Sequence, residues 1–243
     1  PNRRQQMWLE QTTHATAAPW RNARQRLLLP LCIFLLAGIT SLWADYSDWD
    51  FQQVLQNADN KYGRLNMLSR DKIISWEALI KQSESLDDPD KLQAVNNFFN
   101  REYRFLDDQQ NWHEEDYWAT PIEALVKGAG DCEDYSLAKY FTLRYLGIPS
   151  EQLRITYVKA LALNQAHMVL TYYPTPSSDP LVLDNLVAEI RPASQRRDLL
   201  PVYAFNAEGL YLTGKKSGDS KKLSRWQDVL KKMRDEGFAV GDG

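Results

Sequence analysis

Gly128–Ala129–Gly130–Asp131–Cys132–Glu133–Asp134–Tyr135 is the stretch from which the fold of this chain is read. Its glycines end one structured stretch, Asp131 is a strong N-cap residue, and no breaker follows until Gly147 and Pro149. The spacing therefore predicts a helix that starts at Cys132. Leu137, Ala138, Phe141 and Tyr145 supply its buried stripe. A cysteine in a first helical turn lies among backbone N–H groups that lack intrahelical acceptors, at the positive end of the helix dipole. Both features favour the thiolate, the reactive form. Asp131, Glu133 and Asp134 act the other way, since negative charge close to sulfur raises its pKa. A hard divalent cation reconciles the two: carboxylate oxygens suit calcium, and the ion cancels their field. Without an ion, the same acids read as one cap and two solvated carboxylates.

Upstream of this segment the periodicity is helical. Phe51, Val54, Leu55 and Ala58 form one stripe, and Ile73, Ile74, Trp76, Leu79 and Ile80 a second. Asp88, as cap before Pro89, opens a third helix through Leu92, Val95, Phe98 and Phe99 towards Tyr103. An irregular, aromatic segment runs from Leu106 to Trp118, and Pro121 opens a short helix that stops at Gly128 or Gly130. Downstream of Pro149 the pattern turns to strands: 153–161, 167–173, 181–184, 202–205 and 210–213. Trp226, Val229, Leu230 and Met233 mark a closing amphipathic helix. Helices first and an antiparallel sheet second predict an α+β fold. The division is a helical part over 48–147, a mainly β part over 153–213 and a C-terminal helix over 222–236, within one domain spanning 45–243.

Residues 1–44 read as a secretion signal or N-terminal anchor. Arg21, Arg24 and Arg26 precede an apolar run from Leu27 to Ile39, and small residues lead to a cut after Ala44. The run is shorter than the ~20 residues that span a bilayer, and Pro30 interrupts it. Leu29, Pro30 and Leu31 before Cys32 exclude a lipid-attachment signal, which needs a small residue there. Of 29 basic and 32 acidic residues, this segment removes five Arg and one Glu, leaving a formal net charge of −7. Such a surface disfavours nucleic acid and anionic membranes and suits divalent cations. Cys132 is then the only cysteine left. A lone thiol in an oxidising compartment is either reactive or buried and inert.

Three histidines are present: His14 in the leader, His113 among Glu114, Glu115 and Asp116, and His167 at the start of a strand. His113 reads as a solvated surface group. His167 shares a face with Val169 and Thr171, and Asp184 ends a strand seventeen residues on. Adjacent antiparallel strands bring such a pair together, with the carboxylate fixing the imidazole's tautomer and orientation. Singly, each residue is ordinary. The order Cys132, His167, Asp184 on helix start, strand and strand is less so.

That order resembles the transglutaminase-like branch of the papain superfamily. Tyr117–Trp118–Ala119–Thr120–Pro121, Glu123 and Gly128 through Asp134 are similar, more closely, to the bacterial transglutaminase-like cysteine proteinases, and among them to the periplasmic adhesin proteases. Ala166–His167–Met168–Val169–Leu170 and Val182–Leu183–Asp184–Asn185 match the other two triad positions. The resemblance covers about residues 51–212 and implies a papain-like core with the nucleophile helix packed on an antiparallel β-sheet. It implies Cys132, His167 and Asp184 as catalytic residues and calcium as cofactor, with Asp131 and Glu133 at ligand positions. Asp134 joins them as a candidate ligand, and Asp116 or loop carbonyls complete the shell. It further implies a periplasmic endopeptidase that cuts the N-terminal region of a large cell-surface adhesin and promotes biofilm dispersal. An inner-membrane receptor for cyclic di-GMP would hold it inactive. Two other readings stand beside this one: a transglutaminase or amidase that passes the acyl group to an amine, and a non-catalytic calcium-binding module. The second oxyanion donor is open among Asn111, Trp112 and Trp118, and the aromatic segment is either a docking surface or buried packing.

Overall fold

A computed structural model describes residues 49–212, 214–241 and 243. The leader read from residues 1–44 lies outside them. Seven helices occur among the described residues: α1 (Phe51–Tyr62), α2 (Met67–Ser83), α3 (Asp88–Glu102), α4 (Asp108–Asn111), α5 (Pro121–Lys127), α6 (Cys132–Tyr145) and α7 (Ser224–Asp235). The strands are β1 (Arg104–Phe105), β2 (Ala129–Gly130), β3 (Leu153–Ala160), β4 (Gln165–Tyr172), β5 (Leu181–Leu183), β6 (Arg191–Pro192), β7 (Leu199–Asn206), β8 (Gly209–Leu212) and β9 (Lys215–Gly218). Short parallel β1 and β2 pair with each other, while the other seven form one antiparallel sheet in the order β6-β5-β4-β3-β7-β8-β9. The fold is α+β, a helical half followed by a sheet.

Capping chemistry sets the helix starts. Asp50, Asn66 and Asp107 accept N–H groups from the first turns of α1, α2 and α4. The cap of α3 is Asp87, which accepts Asp90 N–H, one residue before the expected Asp88. Thr120 and Glu123 form a reciprocal capping box at α5, and Gly128 closes that helix in the left-handed conformation at φ 65°. The segment 106–118 is not wholly irregular, since α4 lies within it.

Helix α6 is the centre of the molecule. Every residue from Asp134 to Leu143 is buried, so its apolar stripe extends round the whole cylinder. Phe141 stacks on Trp226 of α7 at 5.5 Å or less between centroids, with Tyr140 against the same indole. Trp76 of α2 packs fully buried and donates its Nε1–H to Thr142 Oγ1 at 3.0 Å. Deleting an indole of this kind costs about 3–5 kcal/mol. On the sheet, Leu153 and Ile155 of β3 and Met168, Leu170 and Tyr172 of β4 join this main core. Val158, Val169 and Val182 form a smaller cluster on the alternate positions. His167 is the cross-strand partner of Val158, on those same alternate positions.

Candidate active site

Three pieces of chain meet where α6 begins: the turn at Gly130, the start of β4, and the end of β5. Gly130 is required by close approach. A Cβ there would lie 2.7 Å from Asp134 Oδ2 and 2.8 Å from Asp134 Cβ. Asp131 occupies the N-cap position and Cys132 the first helical residue. Cys132 is a half-buried free thiol, and its Sγ donates to Glu133 Oε2 at 3.0 Å. The backbone N–H of Met168, next to His167, also reaches the sulfur.

His167 is buried, and its Nε2 is 2.8 Å from Asp184 Oδ1. That assigns Nε2 as donor to the carboxylate and leaves Nδ1 as the nitrogen that can take a proton. β4 and β5 pair Leu170 with Leu183, which places the residue after β5 diagonally across from His167. Asp184 is then held on every side. Leu186 N–H donates to Oδ1 at 3.0 Å, Arg196 Nη2 donates to Oδ2 at 2.8 Å, and Asn100 Nδ2 donates to its carbonyl at 2.8 Å. Burial pushes the Asp184 carboxyl up, but the hydrogen bond and charge of His167, the Leu186 amide and Arg196 outweigh it and hold it at about 2. The thiol is driven the other way: burial first, then Glu133 and Asp131, push Cys132 well above the usual thiol range, with the Met168 amide opposing them. Among the described residues the thiol's hydrogen bond runs to Glu133, not to the imidazole.

The acids form a connected cluster. Ligand atoms of Asp108, Asp131 and Asp134 lie within 4.8 Å of one another, as do those of Asp108, Asp116 and Glu133. Asp134 has both oxygens on backbone amides, Oδ1 on Ala119 N–H at 2.7 Å and Oδ2 on Asp131 N–H at 3.3 Å. Asp116 pairs with Arg225 Nη2 at 2.9 Å. Asp131 Oδ1 and Asp108 Oδ1 are different: both are buried and have no hydrogen-bond donor among the described residues. Burial and mutual repulsion push Asp131 and Asp134 far up, and Asp108 to about 6. Two orphaned carboxylate oxygens among repelling acids are the donor set that a hard divalent cation suits. Asp108 joins both groups, with Asp131 and Asp134 in one and with Asp116 and Glu133 in the other; Asp134 also fixes the backbone through its two amide contacts.

Sequence reasoning missed two participants. Asp108 sits in the aromatic segment beside Asp107, and only an acidic residue there marked it. Arg196, in a loop of mixed polarity, carried no signal. Of the oxyanion candidates, Asn111 Nδ2 is taken by Ala129 O at 3.2 Å and Trp118 stacks on Phe205 at 5.6 Å. Trp112 Nε1 is buried without an acceptor. Within the aromatic segment Trp118 is buried, while half-buried Trp112 lies against half-buried Tyr117. His113 is exposed, at φ 62° in the left-handed region.

The sequence model of the family described as bacterial transglutaminase-like cysteine proteinase (BTLCP) matches residues 70–198. Solved structures of Legionella pneumophila LapG are similar to this chain. One is 44% identical, covering 76% of this chain and 97% of its own, with a TM-score of 0.67. A calcium-bound form is 42% identical over 76% and 99%, at 0.66. An EGTA-treated form is 44% identical over 76% and 97%, at 0.68. No curated protein matches.

Proposed function

Because this chain belongs to the bacterial transglutaminase-like cysteine proteinases and is a cysteine peptidase, we propose that it is a calcium-dependent periplasmic endopeptidase acting on the N-terminal region of a large cell-surface adhesin. Cutting there would release the adhesin and favour biofilm dispersal. An inner-membrane receptor that senses cyclic di-GMP would be its inhibitor. The observation that carries the chemistry is the buried His167–Asp184 contact at 2.8 Å beside the sulfur-bearing helix start.

The residues divide the work as follows. Asp184, held ionised, accepts Nε2–H and fixes the tautomer, so Nδ1 of His167 is the base. Calcium, when bound by Asp108 with Asp131 and Asp134 or with Asp116 and Glu133, supplies positive charge that offsets the carboxylates' field at the sulfur. Reaction requires the thiol proton to pass from its present bond to Glu133 over to Nδ1. The thiolate then attacks the peptide carbonyl, forming a carbon–sulfur bond, while the carbonyl oxygen takes up negative charge. The Cys132 backbone N–H, one of the first-turn donors without an intrahelical acceptor, faces that charge. The imidazolium protonates the departing amine, and water, deprotonated by the same ring, hydrolyses the thioester.

The test is incubation of purified protein with a recombinant adhesin N-terminal fragment, in calcium or in EGTA. Discrete fragments in calcium alone, lost in Cys132→Ala, support the reading. Cross-linked products would assign the transferase alternative, and an intact substrate in both conditions would remove the proposal.

A further inference from the structure

Helix α7 reaches the acid cluster through the backbone of another segment. Residues 116–120 run between α4 and α5 as neither helix nor strand. On one side this segment meets the cluster. Tyr117 N–H donates to Asp108 Oδ2, and Ala119 N–H donates to Asp134 Oδ1 at 2.7 Å. On the other side it meets α7. Arg225 Nη1 donates to Asp116 O, Lys232 Nζ donates to Trp118 O at 2.6 Å, and Thr120 Oγ1 donates to Glu236 Oε1 at 2.8 Å. Positions 225, 232 and 236 recur at helical spacing, so one stripe of α7 and its C-cap holds every second residue of the segment.

Two peptide groups are thereby held from both ends. The 116–117 peptide joins Arg225 to Asp108, and the 118–119 peptide joins Lys232 to Asp134. In a trans peptide the C=O and N–H point in opposite directions, so each cation and its carboxylate sit at opposite ends of one rigid plane. A cation on the carbonyl polarises the group and makes its N–H a stronger donor. The bond from Tyr117 N–H occupies Asp108 Oδ2 and leaves Oδ1, buried with no donor among the described residues, to the cluster.

We propose that Arg225 and Lys232 are positioning residues for the ion site. Acting through these two peptide groups, they hold Asp108 and Asp134 in the geometry that binds calcium beside Cys132. This rests on the calcium reading given above. Lys232 also pairs with Glu123 Oε2 at 2.9 Å and lies 4.0 Å from the centroid of the Tyr117 ring, so a role in stability has to be separated from positioning. Lys61 supplies the control. Its Nζ is 3.2 Å from Glu236 Oε1 and 3.6 Å from Glu123 Oε1, among the same buried acids. Among the described residues no hydrogen bond runs from it to 116–120.

Calorimetric titration of calcium into the EGTA-stripped full chain tests the proposal, with melting temperatures in EGTA taken alongside. Removing a positive charge near a cation site tightens binding by Coulomb's law alone, so Lys61→Met should bind calcium unchanged or more tightly. Lys232→Met should do the reverse and weaken binding about tenfold, the loss expected when a residue that orients metal ligands is removed. Arg225→Met should also weaken binding, although it frees Asp116 from its ion pair. Arg225 is exposed, so that variant carries the test if Lys232→Met fails to fold. Unchanged or tighter binding in Lys232→Met, with only a lower melting temperature in EGTA, overturns the proposal, as does an equal weakening in Lys61→Met. A wild type that binds no calcium removes the calcium reading itself, which is a separate result.

Discussion

Replacing Arg196 by Met removes a buried cation from Asp184 while keeping most of the side-chain volume. Asp184 is 1% exposed and its carboxyl is held at about 2, against an ordinary value of 3.8. Burial alone would raise it; the bond and charge of His167, the Leu186 amide and Arg196 reverse that tendency. Breaking a buried pair from one side leaves the other charge uncompensated, which costs about 3–5 kcal/mol. For a unit of this size 1 kcal/mol moves the melting temperature by about 2–4 °C, so the expected fall is about 6–20 °C. The pH dependence has a definite sign. A carboxyl lowered in the folded state contributes stability that is complete above its unfolded value and is lost as pH falls from about 4 to about 2. The gap between wild type and Arg196→Met therefore narrows across that interval. Thermal melts followed by circular dichroism between pH 2 and pH 7 measure it. A fall under about 2 °C at pH 7, or a gap that does not change with pH, refutes the reasoning.

Gly130→Ala drives a Cβ to 2.7 Å from Asp134 Oδ2 and so displaces the carboxylate that holds Ala119 and Asp131 N–H. Overpacking of this kind costs about 1–3 kcal/mol, and calorimetric calcium affinity should fall along with the melting temperature. In EGTA, lowering the pH from about 6 towards 4 should stabilise the protein, because burial and neighbouring acids raise Asp108 to about 6 and the folded state then binds the proton more tightly than the unfolded chain. In calcium the slope should reverse, since protons compete with the ion for the same oxygens; scanning fluorimetry distinguishes the two. Asp131→Asn should raise the melting temperature in EGTA, by relieving repulsion with Glu133 and Asp134, and abolish the stabilisation that calcium gives.

Local signals carried far into this fold. Apolar spacing placed α1, α2, α3, α6 and α7, since each buries an apolar stripe, and Pro121 with Gly128 bounded α5. Alternation placed β3, β4, β7 and β8, since one face of each strand packs on the main core. What escaped was short or depended on distant partners. β6 and β9 span two and four residues, with exposed side chains and no alternation to read. β1 and β2 are defined by a parallel pairing between residues 104–105 and 129–130, which no local pattern encodes. At the site, the Gly130–Asp134 segment was legible because helix-start chemistry is local. Asp108 and Arg196 were not, because what makes them matter is an orphaned oxygen in one case and a distant carboxylate in the other. The thiol's bond to Glu133 is likewise a matter of rotamer geometry, which spacing does not reveal.

The central claim is that Cys132 becomes an accessible thiolate through His167 and the ion held by its neighbouring acids. Its most direct measurement is the iodoacetamide alkylation rate of Cys132 against pH, located by peptide mass spectrometry, in calcium, in EGTA and in His167→Ala. In calcium the wild-type thiol should react below pH 7, and both EGTA and His167→Ala should slow it at least tenfold. A single titration near the free-cysteine value of about 8.5 in all three samples contradicts it.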